Sequence, residues 1–100
     1  MIKLFISQPM KGKSDEEILA EREEAVTAAE YLLRDSVDVI DSFFQGAPAD
    51  AKPLWFLGKS LELLADADAV FFGRGWQDAR GCKIEHDAAE AYGIKIIHAE

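Results

Sequence analysis

The chain has 100 residues, 49% hydrophobic and 30% charged, which is enough for one compact core and too few for two ordinary domains. Its formal net charge of -8 argues against a DNA or RNA partner, because nucleic-acid affinity comes mostly from Lys and Arg that neutralise phosphates. A lone cysteine, the lack of an export-signal pattern and the lack of a bilayer-length apolar run predict a cytoplasmic protein without a membrane partner. We therefore expect residues 1–100 to form a single domain that binds a small molecule or another protein.

The first part of the chain alternates between strand and helix patterns. Ile2–Ser7 is a short apolar run, typical of a strand that is covered on both faces. Ser14 precedes Glu17 by three residues, a capping box that predicts the start of a helix. The predicted buried face of that helix comprises Ile18, Arg22, Ala25, Val26, Ala29, Leu32 and Leu33. A second strand is predicted over residues 37–40, before a loop that contains Gly and Pro.

The alternation continues to the end of the chain. Pro53 suits the first turn of a second helix, whose buried face is predicted to comprise Leu54, Leu57, Leu61 and Leu64. Residues 67–72 form a third apolar run between polar and glycine residues, and residues 80–92 have a helical pattern. Its predicted buried face contains Ile84, Ala88 and Tyr92, with Gly93 as the C-terminal cap. Residues 94–97 complete the pattern as a fourth strand.

This alternation predicts an α/β fold with right-handed crossovers and a parallel sheet. We expect a flavodoxin-like open sheet of about four strands in the order 2-1-3-4, with helices on both faces. Ligands of such sheets bind beyond the carboxyl ends of the strands where the order reverses, here between the first and third strands. Residues 8–13 and 74–80 are therefore predicted to line the crevice, with Asp41 and Ser42 near its rim.

The crevice loop after the first strand contains Gly12-Lys13-Ser14, which invites comparison with a phosphate-binding P-loop. The comparison fails because Ser7 stands where the first glycine belongs and Pro9 removes an amide donor. Three acidic residues also follow at once, and they compete with a polyphosphate for the positive end of the helix. The loop is better interpreted as a helix cap beside one wall of the crevice.

Glu85 is the strongest candidate for chemistry in the second crevice segment. It lies one helical turn after Gly81, and helical side chains lean toward the N-terminus, so its carboxylate is predicted to project over a residue without a side chain. Cys82 and Ala89 share its face and provide small, partly apolar surroundings that raise the pKa of a carboxylate. Spacing alone favours the alternative, an ordinary solvated glutamate paired with a neighbouring basic residue, since most helix glutamates are exposed.

Three stretches carry a resemblance to a known family: ISQPMKGK, DADAVFFGRGW and ARGCKIEHDAAEAYGIKII. Over nearly its whole length the chain resembles the nucleoside 2-deoxyribosyltransferase superfamily, especially its small bacterial and phage branch. The resemblance implies a flavodoxin-like fold and cleavage or exchange of the N-glycosidic bond of deoxynucleosides or their monophosphates. It also implies a glutamate nucleophile that forms a glycosyl-enzyme intermediate, and the matching residues are Glu85 and Gly81.

Supporting residues of that family match less well. Ser60 stands where active relatives place an aspartate, Ala79 stands where they tend to have a serine, and Phe5 lacks the hydroxyl of a family tyrosine. The expected function is therefore an N-glycosidase or deoxyribosyltransferase, and the alternative is a catalytically impaired nucleotide-binding or sensing module. Neither cofactor nor metal is expected. The predicted substrate-binding residues are Ser7, Gln8, Met10, Gly12, Asp41, Trp76, Asp78, Arg80 and Gly81.

Several of these groups have a second interpretation. Trp76 is predicted either to stack on a base or to pack at the edge of its loop. Arg74 and Arg80 are candidates for binding a phosphate, or else they form surface ion pairs. Cys82 and His86 lie four residues apart, and with Glu90 they form a metal-ligand set that we rank lowest.

An aromatic group is predicted near the second helix, composed of Phe43, Phe44, Trp55 and Phe56. It is expected either to fill the core or to bury against a second copy of the chain. The family resemblance implies a homo-oligomer with shared sites.

Overall fold

The computed structural model describes residues 1–44 and 46–100. Its strands are β1 (Ile2–Ser7), β2 (Val37–Val39), β3 (Ala69–Phe72) and β4 (Lys95–His98). Its helices are α1 (Asp15–Leu33), α2 (Pro53–Leu64) and α3 (Arg80–Ala91), and a single 3-10 turn at Trp76–Asp78 precedes α3. The predicted order of strands and helices is confirmed, and the 3-10 turn is an addition.

All four strands run parallel in the order β2-β1-β3-β4, which confirms the flavodoxin-like open sheet. Successive side chains of β1 point to opposite faces: Leu4 packs with residues of α1, whereas Phe5 packs with residues of α2 and α3. Helices therefore cover both faces, as predicted. None of the helices in the described residues is long and apolar enough to cross a membrane.

Both predicted helix caps form. Ser14 Oγ accepts a hydrogen bond from the Glu17 backbone N–H at 3.2 Å, and the Ser14 N–H donates to Glu17 Oε1 at 3.1 Å. Gly93 ends α3 with a φ of 72°, while the Ile94 N–H donates to the Ala89 carbonyl at 3.0 Å, a bond typical of a Schellman motif. These caps fix the ends of α1 and α3 beside β1 and β4.

The predicted buried face of α3 is wrong. Ile84 is 40% exposed and Tyr92 86% exposed, whereas α3 buries Cys82, Glu85 and Ala89. The apolar spacing of α3 fits two helix faces, and packing selects the one with small side chains because this face lies against the sheet. Because Glu85 belongs to this face, its side chain is buried.

Two leucines also depart from their predicted buried positions. Leu32 on α1 is 55% exposed and Leu54 on α2 is 78% exposed. Both lie near a helix end.

Candidate functional site

A cleft of about 1130 Å³ opens beyond the carboxyl end of β1. Four segments line it: the end of β1 with the loop that follows, residues 42–44 after β2, the first half of α2, and the start of α3. This is the predicted position, because parallel strands leave a crevice where the strand order reverses. Within the cleft wall lies Glu85, whose side chain is buried.

Ser7 and Glu85 form the central contact of the cleft. The Ser7 hydroxyl donates to Glu85 Oε1 at 2.6 Å, although the two residues are 78 positions apart in the sequence. Burial raises the pKa of the Glu85 carboxyl, and hydrogen bonds from Ser7 and Ser60 oppose that rise. The site therefore holds a largely desolvated carboxylate whose Oε1 is fixed by a neighbouring hydroxyl.

Cys82 lies beside this pair and is buried as well. Burial raises the pKa of its thiol, and the negative charge of Glu85 acts in the same direction, although a hydrogen bond with Ser7 opposes it. A thiol with a raised pKa stays protonated at neutral pH and is a weak nucleophile. His86, four residues further along α3, stacks on Trp76.

A hydrogen-bond network behind the cleft holds two of its loops. Gln8 Nε2 donates to Glu21 Oε1 at 2.9 Å, and Gln8 Oε1 accepts from Arg22 at 3.1 Å. The guanidinium of Arg22 also donates to Ser42 Oγ at 3.1 Å, so α1 connects the loop after β1 to the loop after β2. Arg22 is 8% exposed, and desolvation lowers its pKa while the charge of Asp41 raises it. The Gln8 side chain therefore supports the cleft from behind.

The charged side chains that line the cleft are mostly positive, whereas the chain as a whole is negative. Among the described lining residues the charged side chains are Lys11, Lys52, Arg80 and Glu85. Three cations and one buried carboxylate thus line the cleft of a protein of net charge -8. This local excess favours an anionic ligand.

One side of the cleft is aromatic. Phe43, Phe44 and Phe56 line it, and Trp55 supports them from behind through edge contacts at centroid distances of 5.9 Å to Phe44 and 5.1 Å to Phe56. Such a wall suits the flat face of an aromatic ligand. Burial of these rings against a second subunit stays a prediction.

The residues predicted from sequence divide into two groups. The cleft lining brings together Ser7, Gln8, Met10, Arg80, Gly81 and Glu85. Outside that lining lie Gly12, Asp41, Trp76 and Asp78. Trp76 packs in parallel on the His86 ring at a centroid distance of 4.0 Å, and Arg74 donates to the Glu100 carbonyl at 3.2 Å.

The sequence does not predict the roles of two residues in the site. The spacing of α1 predicts that Arg22 is buried, but not its hydrogen bonds to Gln8 and Ser42. An arginine among apolar positions was the available signal for such a network. Lys52 was not considered at all, because nothing in the sequence relates a residue just before α2 to Glu85 on α3.

Comparison with known proteins places the chain in a family and supports its fold. No curated protein matches it. A solved structure titled as a conserved protein from Enterococcus faecalis V583 has a TM-score of 0.67 and 17% sequence identity, a likeness that shows the fold alone. The match covers 98% of this chain and 62% of that one, so our chain spans less than two thirds of its length. A family model described as "Domain of unknown function (DUF4406)" matches residues 2–98, and the protein therefore belongs to the DUF4406 family.

Proposed function

We propose that the protein cleaves or exchanges the N-glycosidic bond of nucleoside 5′-monophosphates, with Glu85 as the nucleophile. The observation that carries this proposal is a buried carboxylate facing a ligand-sized cleft, with Oε1 held by Ser7 at 2.6 Å. The resemblance of the GCKIEH segment to the nucleoside 2-deoxyribosyltransferase superfamily supports the same role for Glu85.

The geometry suits a two-step displacement. Ser7 orients the Glu85 carboxylate through Oε1, and a carboxylate oxygen of Glu85 attacks the anomeric carbon. The electron pair of the C–N bond leaves with the base, which takes up a proton from water, and a glycosyl ester forms on Glu85. Attack by water or a second base then breaks the ester and restores the carboxylate. Gly81 adds no side chain at the cleft wall, so it leaves space for the sugar.

The phosphate and the base are assigned to two different features of the cleft, its cations and its aromatic side chains. Lys11, Lys52 and Arg80 offer positive charge to a 5′-phosphate, and the arginine can bind two of its oxygens at once. The aromatic wall of Phe43, Phe44 and Phe56 offers a face for the base. A neutral nucleoside would use only the second feature.

A second candidate function is nucleotide binding without turnover. Glu85 is the one carboxylate among the described residues that line the cleft. Retaining glycosidases use a pair of carboxyl groups about 5–5.5 Å apart, one of which handles the proton of the leaving group. Ser60 lines the cleft where active relatives place an aspartate, so this arrangement favours a sensor.

The decisive experiment incubates the protein with a panel of deoxynucleosides, ribonucleosides and their 5′-monophosphates and measures released base by chromatography. Glu85→Gln keeps an acceptor for Ser7 but removes the nucleophile, so we expect release to fall by about 10³-fold or more. Glu62→Gln makes the same chemical change at an exposed position on α2. It is the matched control and is expected to leave the release of base unchanged. A pentosyl adduct on the Glu85 peptide, seen by mass spectrometry, would confirm the intermediate.

Other outcomes separate the two functions. Saturable binding of a monophosphate without release of base would support the sensor. Release that is equal in Glu85→Gln and the parent protein would refute the assignment of the nucleophile. Arg80→Gln is expected to raise KM for monophosphates while leaving KM for nucleosides unchanged, because only the phosphate needs the cation.

A further inference from the structure

The chain has two histidines, and the fold brings them together away from the cleft. His86 lies on α3 and His98 ends β4, and their Nε2 atoms are 2.8 Å apart. On the other side of the His86 ring, Nδ1 lies 3.3 Å from Glu90 Oε1. Trp76 packs in parallel on this ring at a centroid distance of 4.0 Å. His86 is thus fixed at both nitrogens and on one face.

The two rings present Nε2 to each other, and a hydrogen bond there needs one nitrogen to donate and the other to accept. At the opposite side of the His86 ring, Glu90 is placed to accept a hydrogen bond from Nδ1–H. A histidine whose Nδ1–H faces a carboxylate while its Nε2 faces a second imidazole has the arrangement of a metal-ligating histidine with its supporting acid.

We propose that His86 and His98 bind a late first-row divalent cation such as Zn²⁺ through their Nε2 atoms, in place of the shared proton. With Zn–N bonds of about 2.0–2.1 Å, tetrahedral ligands lie roughly 3.3–3.4 Å apart. The Nε2 atoms must therefore separate by about half an ångström, and the rings must tilt so that both lone pairs point at one ion beside the line that joins them. His98 can supply this movement because it is exposed at the end of an edge strand and its ring contacts are looser. Its centroid lies 5.4 Å from Trp76 and 6.0 Å from Phe72, whereas that of His86 lies 4.0 Å and 4.7 Å from the same rings. Water completes the coordination. This site does not depend on the function proposed for the cleft.

A competing arrangement exists on the same helix. Ligand atoms of His86, Asp87 and Glu90 lie within 4.8 Å of one another. Nδ1 is the nitrogen of His86 that lies near Glu90, at 3.3 Å, so an ion held by this group would use Nδ1. We favour the Nε2 pair because two imidazoles from different elements suit Zn²⁺, Ni²⁺ or Cu²⁺ better than two exposed carboxylates do. His98 distinguishes the two arrangements, since only the first needs it.

The test uses tag-free protein freed of metal with a chelator. The Trp55→Phe variant leaves Trp76 as the single tryptophan, and its fluorescence reports ions bound beside His86. Ni²⁺ is expected to quench it saturably, Zn²⁺ to displace Ni²⁺, and calorimetry to find one Zn²⁺ per chain. Mg²⁺ is expected to have no effect, because it prefers oxygen ligands.

Variants of the pair decide the outcome. His98→Asn should abolish the saturable response, Glu90→Gln should weaken Zn²⁺ affinity by about 10–100-fold, and His98→Cys should retain binding because thiolate replaces imidazole as a ligand. Circular dichroism checks that each variant is folded. Unchanged Zn²⁺ affinity in His98→Asn, or no saturable response in the parent protein, would overturn the proposal.

Discussion

Ser7→Ala removes the hydroxyl that donates to Glu85 Oε1 at 2.6 Å, while changing the volume of a buried position by only one oxygen atom. A hydrogen bond to a charged group contributes about 1.5–3 kcal/mol, and one between neutral groups about 0.5–1.5 kcal/mol. We therefore expect Ser7→Ala to lower the free energy of unfolding by about 2 kcal/mol when Glu85 is ionised, and by about 1 kcal/mol when it is protonated.

The pH dependence has a defined sign. Burial already raises the pKa of Glu85 and the Ser7 hydrogen bond opposes this rise, so Ser7→Ala raises that pKa further. A carboxyl with a raised pKa binds its proton more tightly in the folded state than in the unfolded one. Its contribution to stability is fully present below the unfolded-state pKa and is lost as pH rises through the folded-state pKa. The cost of Ser7→Ala thus increases with pH.

Urea denaturation at about pH 3 and about pH 8, on either side of the ordinary glutamate range, measures this difference. The same substitution made in a Glu85→Gln background is the control, where we expect a cost of about 1 kcal/mol at both pH values. The reasoning would be refuted by a Ser7→Ala cost that is the same at both pH values and in both backgrounds.

Three further changes test other parts of the structure. Glu85→Gln is expected to raise the thermal midpoint at neutral pH, because the amide avoids burying a charge. The gain should grow as pH rises above the ordinary glutamate pKa, and a midpoint that varies with pH in parallel with that of the parent protein would contradict this. Arg22→Met leaves the buried acceptor atoms of Gln8 and Ser42 without their donor. Urea denaturation should show a free energy of unfolding lower by an amount on the order of 2 kcal/mol, and an unchanged urea midpoint would argue against the network. Gly93→Ala forces alanine into a φ of 72° and should lower the free energy of unfolding by about 1–2 kcal/mol. Gly58→Ala, at a helical position with open space around it, should be neutral or stabilising. Equal effects of the two changes would refute the conformational argument.

Much of the candidate site followed from sequence because a topological rule connects distant segments. Once the strand order 2-1-3-4 is expected, the residues after β1 and the start of α3 must meet at one edge of the sheet. Gln8, Met10 and Arg80 belong to the segments that the rule places there, and they do line the cleft. Trp76 was placed there as well, yet its ring packs between α3 and β4, because the 3-10 turn directs it away.

Local sequence alone determined the order of strands and helices, the capping box at Ser14 and the glycine cap at Gly93, because each depends on residues within a few positions of one another. The tertiary structure decided which face of α3 is buried, since its small apolar residues fit either face and only the sheet distinguishes them. It also decided the contact of Ser7 with Glu85 and that of His86 with His98. Those pairs join separate elements of the fold, and their chemistry arises from burial and distance, which no local pattern contains.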